Sequence, residues 1–140
     1  MSSTALAEGE LRDFLSQPLI ADIVTLNQDG SPQITPVWYD FDGTYLYVST
    51  TTDRAKARNI KRDNRIAISV RNEDANKVVL FTGNASILDD SDHVVVRRIV
   101  ARYTPQDQID AFLSGLEANR VIVRMKPIRT ISWDFTKSGN

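Results

Sequence analysis

The chain has no cysteine and a single histidine, His93. The first absence excludes a disulfide framework, a thiolate metal site, a catalytic thiol and a redox-active cysteine pair. The second excludes a histidine-rich metal centre. No charge predominates: 17 basic and 18 acidic residues leave a net charge of -1, which argues against a generic nucleic-acid or membrane-surface binder. Nor is there a run of about 18 apolar residues, and the opening Met1-Ser-Ser-Thr-Ala-Leu-Ala-Glu-Gly-Glu lacks both a basic stretch and an apolar core. The expectation is therefore a cytosolic protein that neither spans a membrane nor binds nucleic acid. Repeats and low-complexity tracts are also missing. What is present is an ordinary globular composition, 41% apolar over 140 residues. A chain of that size buries roughly 68% of its unfolded surface, enough for a single domain over residues 1–140 without covalent staples.

Glycine and proline are few, six and five, so each carries positional information. Asp29-Gly30 and Asp42-Gly43 are dipeptides that tolerate the positive φ of tight hairpin turns. They separate three period-two stretches, Ile20 to Asn27, Pro32 to Phe41 and Thr44 to Ser49, which predicts two successive hairpins and three adjacent antiparallel strands. Pro32 and Pro36 cannot donate to a ladder, so the middle strand starts at Pro32 and leaves the backbone near Pro36 at a bulge, an edge or a ligand-facing gap.

Residues 53–62 are rich in helix formers, with Thr52 or Asp53 available as cap. Arg65 to Arg71 and Val78 to Leu88 resume strand alternation, Gly83 marking a bend. Val94, Val95, Ile99 and Tyr103 space an amphipathic helix after Ser91, and Thr104-Pro105 opens another carrying Ala111, Phe112, Leu113 and Leu116. Two last strands, Val121 to Met125 and Ile128 to Phe135, meet at Lys126-Pro127, and residues 136–140 form a polar tail. Six or seven strands in mostly sequential antiparallel order, with a helix also expected at the N-terminus, predict a mainly β fold: a small closed or nearly closed barrel with flanking helices. Closure removes edges that would otherwise invite aggregation.

The least ordinary stretch is Arg54 to Arg65, where Arg54, Lys56, Arg58, Lys61, Arg62 and Arg65 face one acid, Asp63. Charge runs are usually solvated helix faces. Here, however, Val48-Ser-Thr-Thr-Thr-Asp delivers four hydroxyls to the helix start, and hydroxyls, free amides and cations together make a phosphate site. Gln33-Ile-Thr-Pro-Val-Trp-Tyr is expected beside the strand ending at Ser49. Ile34, Val37 and Trp38 suit core or interface packing, while Gln33 and Thr35 put polar groups on one face against which a planar heterocycle could rest.

The series Asp29-Gly30-x-Pro32-x-x-x-Pro36-Val-Trp, Val48-Ser-Thr-Thr, Arg54-x-Lys56-x-x-Asn59-Ile-x-Arg62-Asp63-x-Arg65, Gly83-x-Ala85 and Pro127-x-Arg129 resembles the pyridoxamine 5'-phosphate oxidase-like split-barrel flavoproteins. Within them it is most similar to the small proteins that use the deazaflavin coenzyme F-420 in place of FMN. The resemblance implies a split β-barrel homodimer with cofactor sites between subunits. It also implies that Ser49, Thr50, Arg54 and Lys56 hold the cofactor phosphate, that Asn59 supports that turn, and that Gln33, Thr35, Pro36 and Val37 line the ring. The implied activity is hydride transfer from reduced F-420 to an electron-poor small organic substrate. An FMN oxidoreductase of the same fold and a non-catalytic flavin or deazaflavin carrier are the alternatives. Some deazaflavin users place an aromatic where this chain has Asn76-Lys77. No acid–base residue stands out; Tyr39, a lysine or arginine of the site, or water are the candidate proton donors, and the catalytic residues are unassigned.

His93 lacks partners and is read as structural or solvent-facing. Asp89, Asp90 and Asp92 are read as capping the following helix, not as a metal site. Arg97, Arg98 and Arg102 form a second basic patch expected near the groove mouth, while Trp133 and Phe135 are expected in the barrel or the dimer seam.

Overall fold

The computed structural model describes residues 5–137. Helix α1 (Glu8–Leu15) is followed by strands β1 (Ala21–Leu26), β2 (Pro32–Val37), β3 (Asp40–Phe41) and β4 (Leu46–Thr51). Helix α2 (Ala55–Arg62), strands β5 (Arg65–Arg71) and β6 (Lys77–Asp89), helix α3 (Val94–Tyr103), a 3-10 turn (Gln106–Gln108), helix α4 (Ile109–Ser114) and strand β7 (Arg120–Asp134) complete it. The strands form one antiparallel sheet in the order β2-β1-β5-β6-β7-β4-β3.

That order, taken with the chain connectivity, dictates the shape. β2 and β3 are opposite edges of the sheet, yet only Trp38 and Tyr39 lie between them. Flat, seven strands would separate their edges by roughly 29 Å at about 4.8 Å per strand. Three consecutive Cα–Cα steps reach about 11 Å at most. The sheet must therefore curl until its edges converge at the Trp38-Tyr39 corner, giving the half-barrel with flanking helices expected of a split barrel. Its interior is filled by Ile23, Leu46, Val48, Ile68, Val70, Val79, Phe81, Val123 and Met125, with Phe14 and Leu15 of α1 and Ile60 of α2.

The turns follow the sequence. Gly30 and Gly43 adopt φ +86° and +97°, and Asn27 N–H donates to Ser31 O at 2.8 Å across the first turn. Pro36 lies on an edge strand, where its missing donor costs no ladder bond. Gly83 sits at the register shift between β6 and β7; a Cβ there would stand 2.8 Å from Lys126 O and 2.9 Å from Met125 Sδ.

Several expectations are corrected. The three-strand meander does not form: β2 pairs with β1, but β4 pairs with β3 and with β7, so the Gln33 strand is not beside the Ser49 strand. The break at Trp38-Tyr39 turns the chain from one sheet edge to the other. The two final strands are one, because Ile128 is accommodated as the extra residue of a bulge. Neither Thr52 nor Asp53 caps α2; its N-cap is Arg54, and Asp53 instead accepts from Thr51 Oγ1 at 2.6 Å. Helix α3 starts at Val94 after a left-handed His93, and this phase buries Val96, Ile99 and Val100 while leaving Val94 exposed. Asp90, fully buried, does cap it, accepting from the N–H groups of Val95 and Val96 at 2.9 Å each.

No helix among the described residues is long and apolar enough to cross a membrane.

Candidate functional site

Leaving β4, the chain passes through Thr51, Thr52 and Asp53 into α2, and Asn119 secures this exit: its amide donates to Thr52 Oγ1 at 3.1 Å and to Asp53 Oδ1 at 3.2 Å. α2 is an amphipathic plug. Ala57 and Ile60 are buried beside the barrel, and Arg58, Lys61 and Arg62 face water. Lys56 breaks the pattern, because its side chain is carried on the buried face and the residue is 9% exposed. No carboxylate among the described residues lies within ion-pair reach of it. Burial, followed by the positive charges of Arg54 and Arg120, pushes its ammonium below its ordinary pKa. A buried lysine without a counter-ion is expensive. Two more cations beside it make the place one that an anion would relieve.

Arg120 was not singled out from the sequence. It enters the site through strand pairing, since β7 runs beside β4 with Thr51 opposite Arg120 and Ser49 opposite Ile122. Its Nη1 donates to Ser49 Oγ at 3.3 Å and its Nη2 to Glu117 at 3.1 Å, while Nε is enclosed without an acceptor. Nothing local distinguishes it from the other arginines of the chain; only the pairing of β7 with the distant β4 reveals it.

The remaining predicted residues separate into groups. Ser49 and Thr50 point to opposite faces of β4, as period two requires. Ser49 lies with Arg120 on the side of α3 and α4, and Thr50 shares the barrel face of Leu46 and Val48, its hydroxyl enclosed and without a partner. Arg54 is exposed at the helix start. Asn59 is on the inner side of α2, where its Nδ2 donates to Thr25 Oγ1 and to Asn27 Oδ1, both at 3.0 Å, and its Oδ1 accepts from Arg62 at 2.9 Å. It therefore fastens the helix to β1, in keeping with a supporting role. Thr25 continues the chain by donating to Gln33 Oε1 at 3.2 Å.

On β2, Gln33, Thr35 and Val37 alternate with the exposed Pro32, Ile34 and Pro36. Pro36 thus faces away from its three predicted companions. Val37 packs on the barrel core, and the Thr35 hydroxyl, like that of Thr50, is enclosed without a partner.

Tyr39 is removed as a proton donor. It is fully buried, its hydroxyl donates to Leu15 O at 2.8 Å, and burial raises its pKa far above neutrality. The second basic patch also dissolves. Arg97 pairs with Asp110, Arg98 lies near Asp40 and over the Tyr47 ring, and Arg102 is inserted between the tyrosines 39 and 103 while donating to the carbonyls of Leu15 and Gln17.

A curled antiparallel half-barrel with flanking helices defines a split-barrel protein. Residues 7–134 match the pyridoxamine 5'-phosphate oxidase family. The chain belongs to that family of oxidoreductases. Among solved structures it is similar to a protein named F420 reductase, at 29% identity and a TM-score of 0.73, over 89% of this chain and 98% of the other. A conserved hypothetical protein from Mycobacterium tuberculosis is 28% identical with a TM-score of 0.84, covering 100% of this chain and 92% of its own. A FAD-binding protein from Mesorhizobium loti shares the fold at 16% identity and a TM-score of 0.63, over 91% and 94% of the two chains.

Proposed function

We propose that this chain is an oxidoreductase that binds a phosphate-bearing deazaflavin of the F-420 type and delivers a hydride to an electron-poor small organic substrate. The observation that carries this reading is the Lys56 ammonium, buried under the influence of Arg54 and Arg120 with no carboxylate among the described residues to neutralise it. A phosphate oxygen supplies the missing acceptor and charge, and the open donors of Arg120, with the Ser49 hydroxyl on the same face of β4, add further hydrogen-bonding groups. The likeness to a protein named F420 reductase favours the deazaflavin over FMN, the alternative with the same phosphate chemistry.

When bound, such a cofactor supplies the hydride chemistry. The protein's residues hold and orient. Lys56, Arg54 and Arg120 fix the anionic end, Asn59 fixes the helix that carries Lys56, and the Gln33 and Thr35 side chains offer polar contacts along β2. No carboxylate or histidine belongs to this cluster among the described residues, so the proton that accompanies reduction comes from water or from a lysine or arginine of the site.

We place a second copy of the chain against the outer face of the barrel. There Ile34 and Ile128 are 63% and 74% exposed, and Val24, Leu26, Ile66 and Ile128 line an open concavity of about 420 Å³. Sedimentation at micromolar concentration reads this directly: a monomer at all concentrations rejects the dimer.

Parallel titrations with F-420 and FMN, followed by optical spectra, test the cofactor. Tighter F-420 binding together with oxidation of reduced F-420 by enones or quinones is the expected result. A tenfold preference for FMN, about 1.4 kcal/mol, reverses the assignment, and binding without turnover of any acceptor makes the protein a carrier.

A further inference from the structure

Beneath α3 and α4, on the side of β4 away from the barrel core, lies a second cavity of about 180 Å³. Its walls are apolar: Trp38, Val96, Val100, Phe112 and Leu116 supply most of them, with Ile99 behind. Among the described residues, Ser49 and Arg120 bring it a hydroxyl and a charge. The walls are fixed in place. The Trp38 ring lies parallel to Tyr103 at 4.7 Å and is backed by Phe112 at 5.6 Å, while Tyr103 is itself anchored by donating to Leu19 O at 2.7 Å. Phe112, at 41% exposed, and the half-buried Leu116 form the rim through which the cavity meets solvent.

We propose that this cavity is a binding site for a small monocarboxylate with a flat or branched apolar body, the carboxylate meeting Arg120 and Ser49 and the body filling the space between Trp38, Val100 and Leu116. Size sets the body. A cavity of about 150 Å³ lined by aliphatic and aromatic side chains accepts benzene, so this one takes a single ring or a branched chain of similar volume with its carboxylate at the polar end. Charge sets the head group. The Arg120 side chain is only 15% exposed, its one ion pair is to the half-exposed Glu117, and its contact with Ser49 is long at 3.3 Å. A guanidinium so placed has donors to spare, and its planar fork matches a carboxylate. No acidic residue lines the cavity to repel that group, and none of the apolar walls could satisfy a second charge, so dicarboxylates are disfavoured.

Arg120 stands between this cavity and the Lys56 cluster, yet the two sites are separable by experiment. The full chain, without cofactor, is titrated calorimetrically with benzoate, toluene and inorganic phosphate. Saturable benzoate binding in the low-millimolar range or tighter, and at least tenfold tighter than toluene, is expected. Leu116→Phe, which fills the cavity from its tolerant rim, should weaken benzoate at least tenfold and leave F-420 binding unchanged; Val100→Phe repeats the test from the inner wall. Loss of benzoate binding in Arg120→Gln but not in Lys56→Ala places the carboxylate as proposed. Absence of benzoate binding overturns the proposal. So does benzoate binding that phosphate displaces and Leu116→Phe leaves intact, because the anion then sits at Lys56. A chain that binds benzoate in this way but neither F-420 nor FMN retains the cavity site and loses the cofactor reading.

Discussion

The side-chain amide of Asn59 donates to Thr25 Oγ1 at 3.0 Å, so helix α2 is fastened to β1 by a buried polar bond between residues 34 apart in sequence. Removing the amide takes a bond from each of Thr25, Asn27 and Arg62 at once. Asn59→Ala should therefore cost about 1–3 kcal/mol of stability, the range for leaving buried polar groups unpaired. Urea unfolding measures it, and a midpoint equal to wild type would show that the bond is dispensable.

Lys56→Ala acts on binding instead. The variant should keep its fold and lose roughly 1.5–3 kcal/mol of cofactor affinity, the range for hydrogen bonds to charged groups. An unchanged isotherm removes Lys56 from the anion site.

The same lysine predicts a pH dependence. Burial and the neighbouring cations hold its pKa below the ordinary 10.5, so between the lowered value and 10.5 the unfolded chain binds more protons than the folded one. Stability contributed at this position therefore rises with pH through that window, and the cost of the buried ammonium is fully present below it. In phosphate-free buffer, Lys56→Met should be more stable than wild type at neutral pH, with the gap closing as the pH approaches 10.5. A gap that does not vary with pH would mean that the ammonium is well solvated.

At the β6–β7 bulge, Gly83→Ala would drive a methyl group into Lys126 O and Met125 Sδ. One of these contacts is backbone, which yields little, so a loss of about 1–3 kcal/mol is expected. Thermal unfolding that matches wild type would mean that the bulge relaxes freely.

Asp90→Ala deletes both carboxylate bonds to the start of α3 and should cost about 0.5–2 kcal/mol, as for other N-cap losses. Because α3 roofs the cavity beside Trp38, the variant should also weaken benzoate there. Calorimetry on Asp90→Ala checks both effects.

Much of this was legible in the chain itself where the deciding interactions are local. Asp29-Gly30 and Asp42-Gly43 announce their turns through backbone preference alone, and Asp90 announces a helix start. The hydroxyls before Arg54 and the alternation of cations after it point to the β4–α2 exit. What the chain hides is long-range pairing. β4 chooses β7 over β2 because Trp38 and Tyr39 divert the chain to the far edge, and that choice rests on packing against Tyr103 and Phe112 from distant helices. Arg120 is hidden for the same reason. Its neighbours in sequence are unremarkable, and its neighbours in space come from β4 and α2. Conversely, Tyr39 is a candidate proton donor and Arg102 part of a basic patch in sequence, yet the Arg102 guanidinium lies over the ring of the buried Tyr39 as a structural pair.

Strand β7 lies inside the sheet, bonded to β6 on one side and β4 on the other. Until Arg120 to Met125 have left the ribosome, the β3–β4 hairpin has no ladder to join, and the growing sheet ends at β6. The basic cluster is in the same position, since Arg120 is the third of its cations. Assembly of the barrel and of the Lys56, Arg54 and Arg120 cluster are thus a single late event in synthesis, and a nascent chain stalled before residue 120 holds neither.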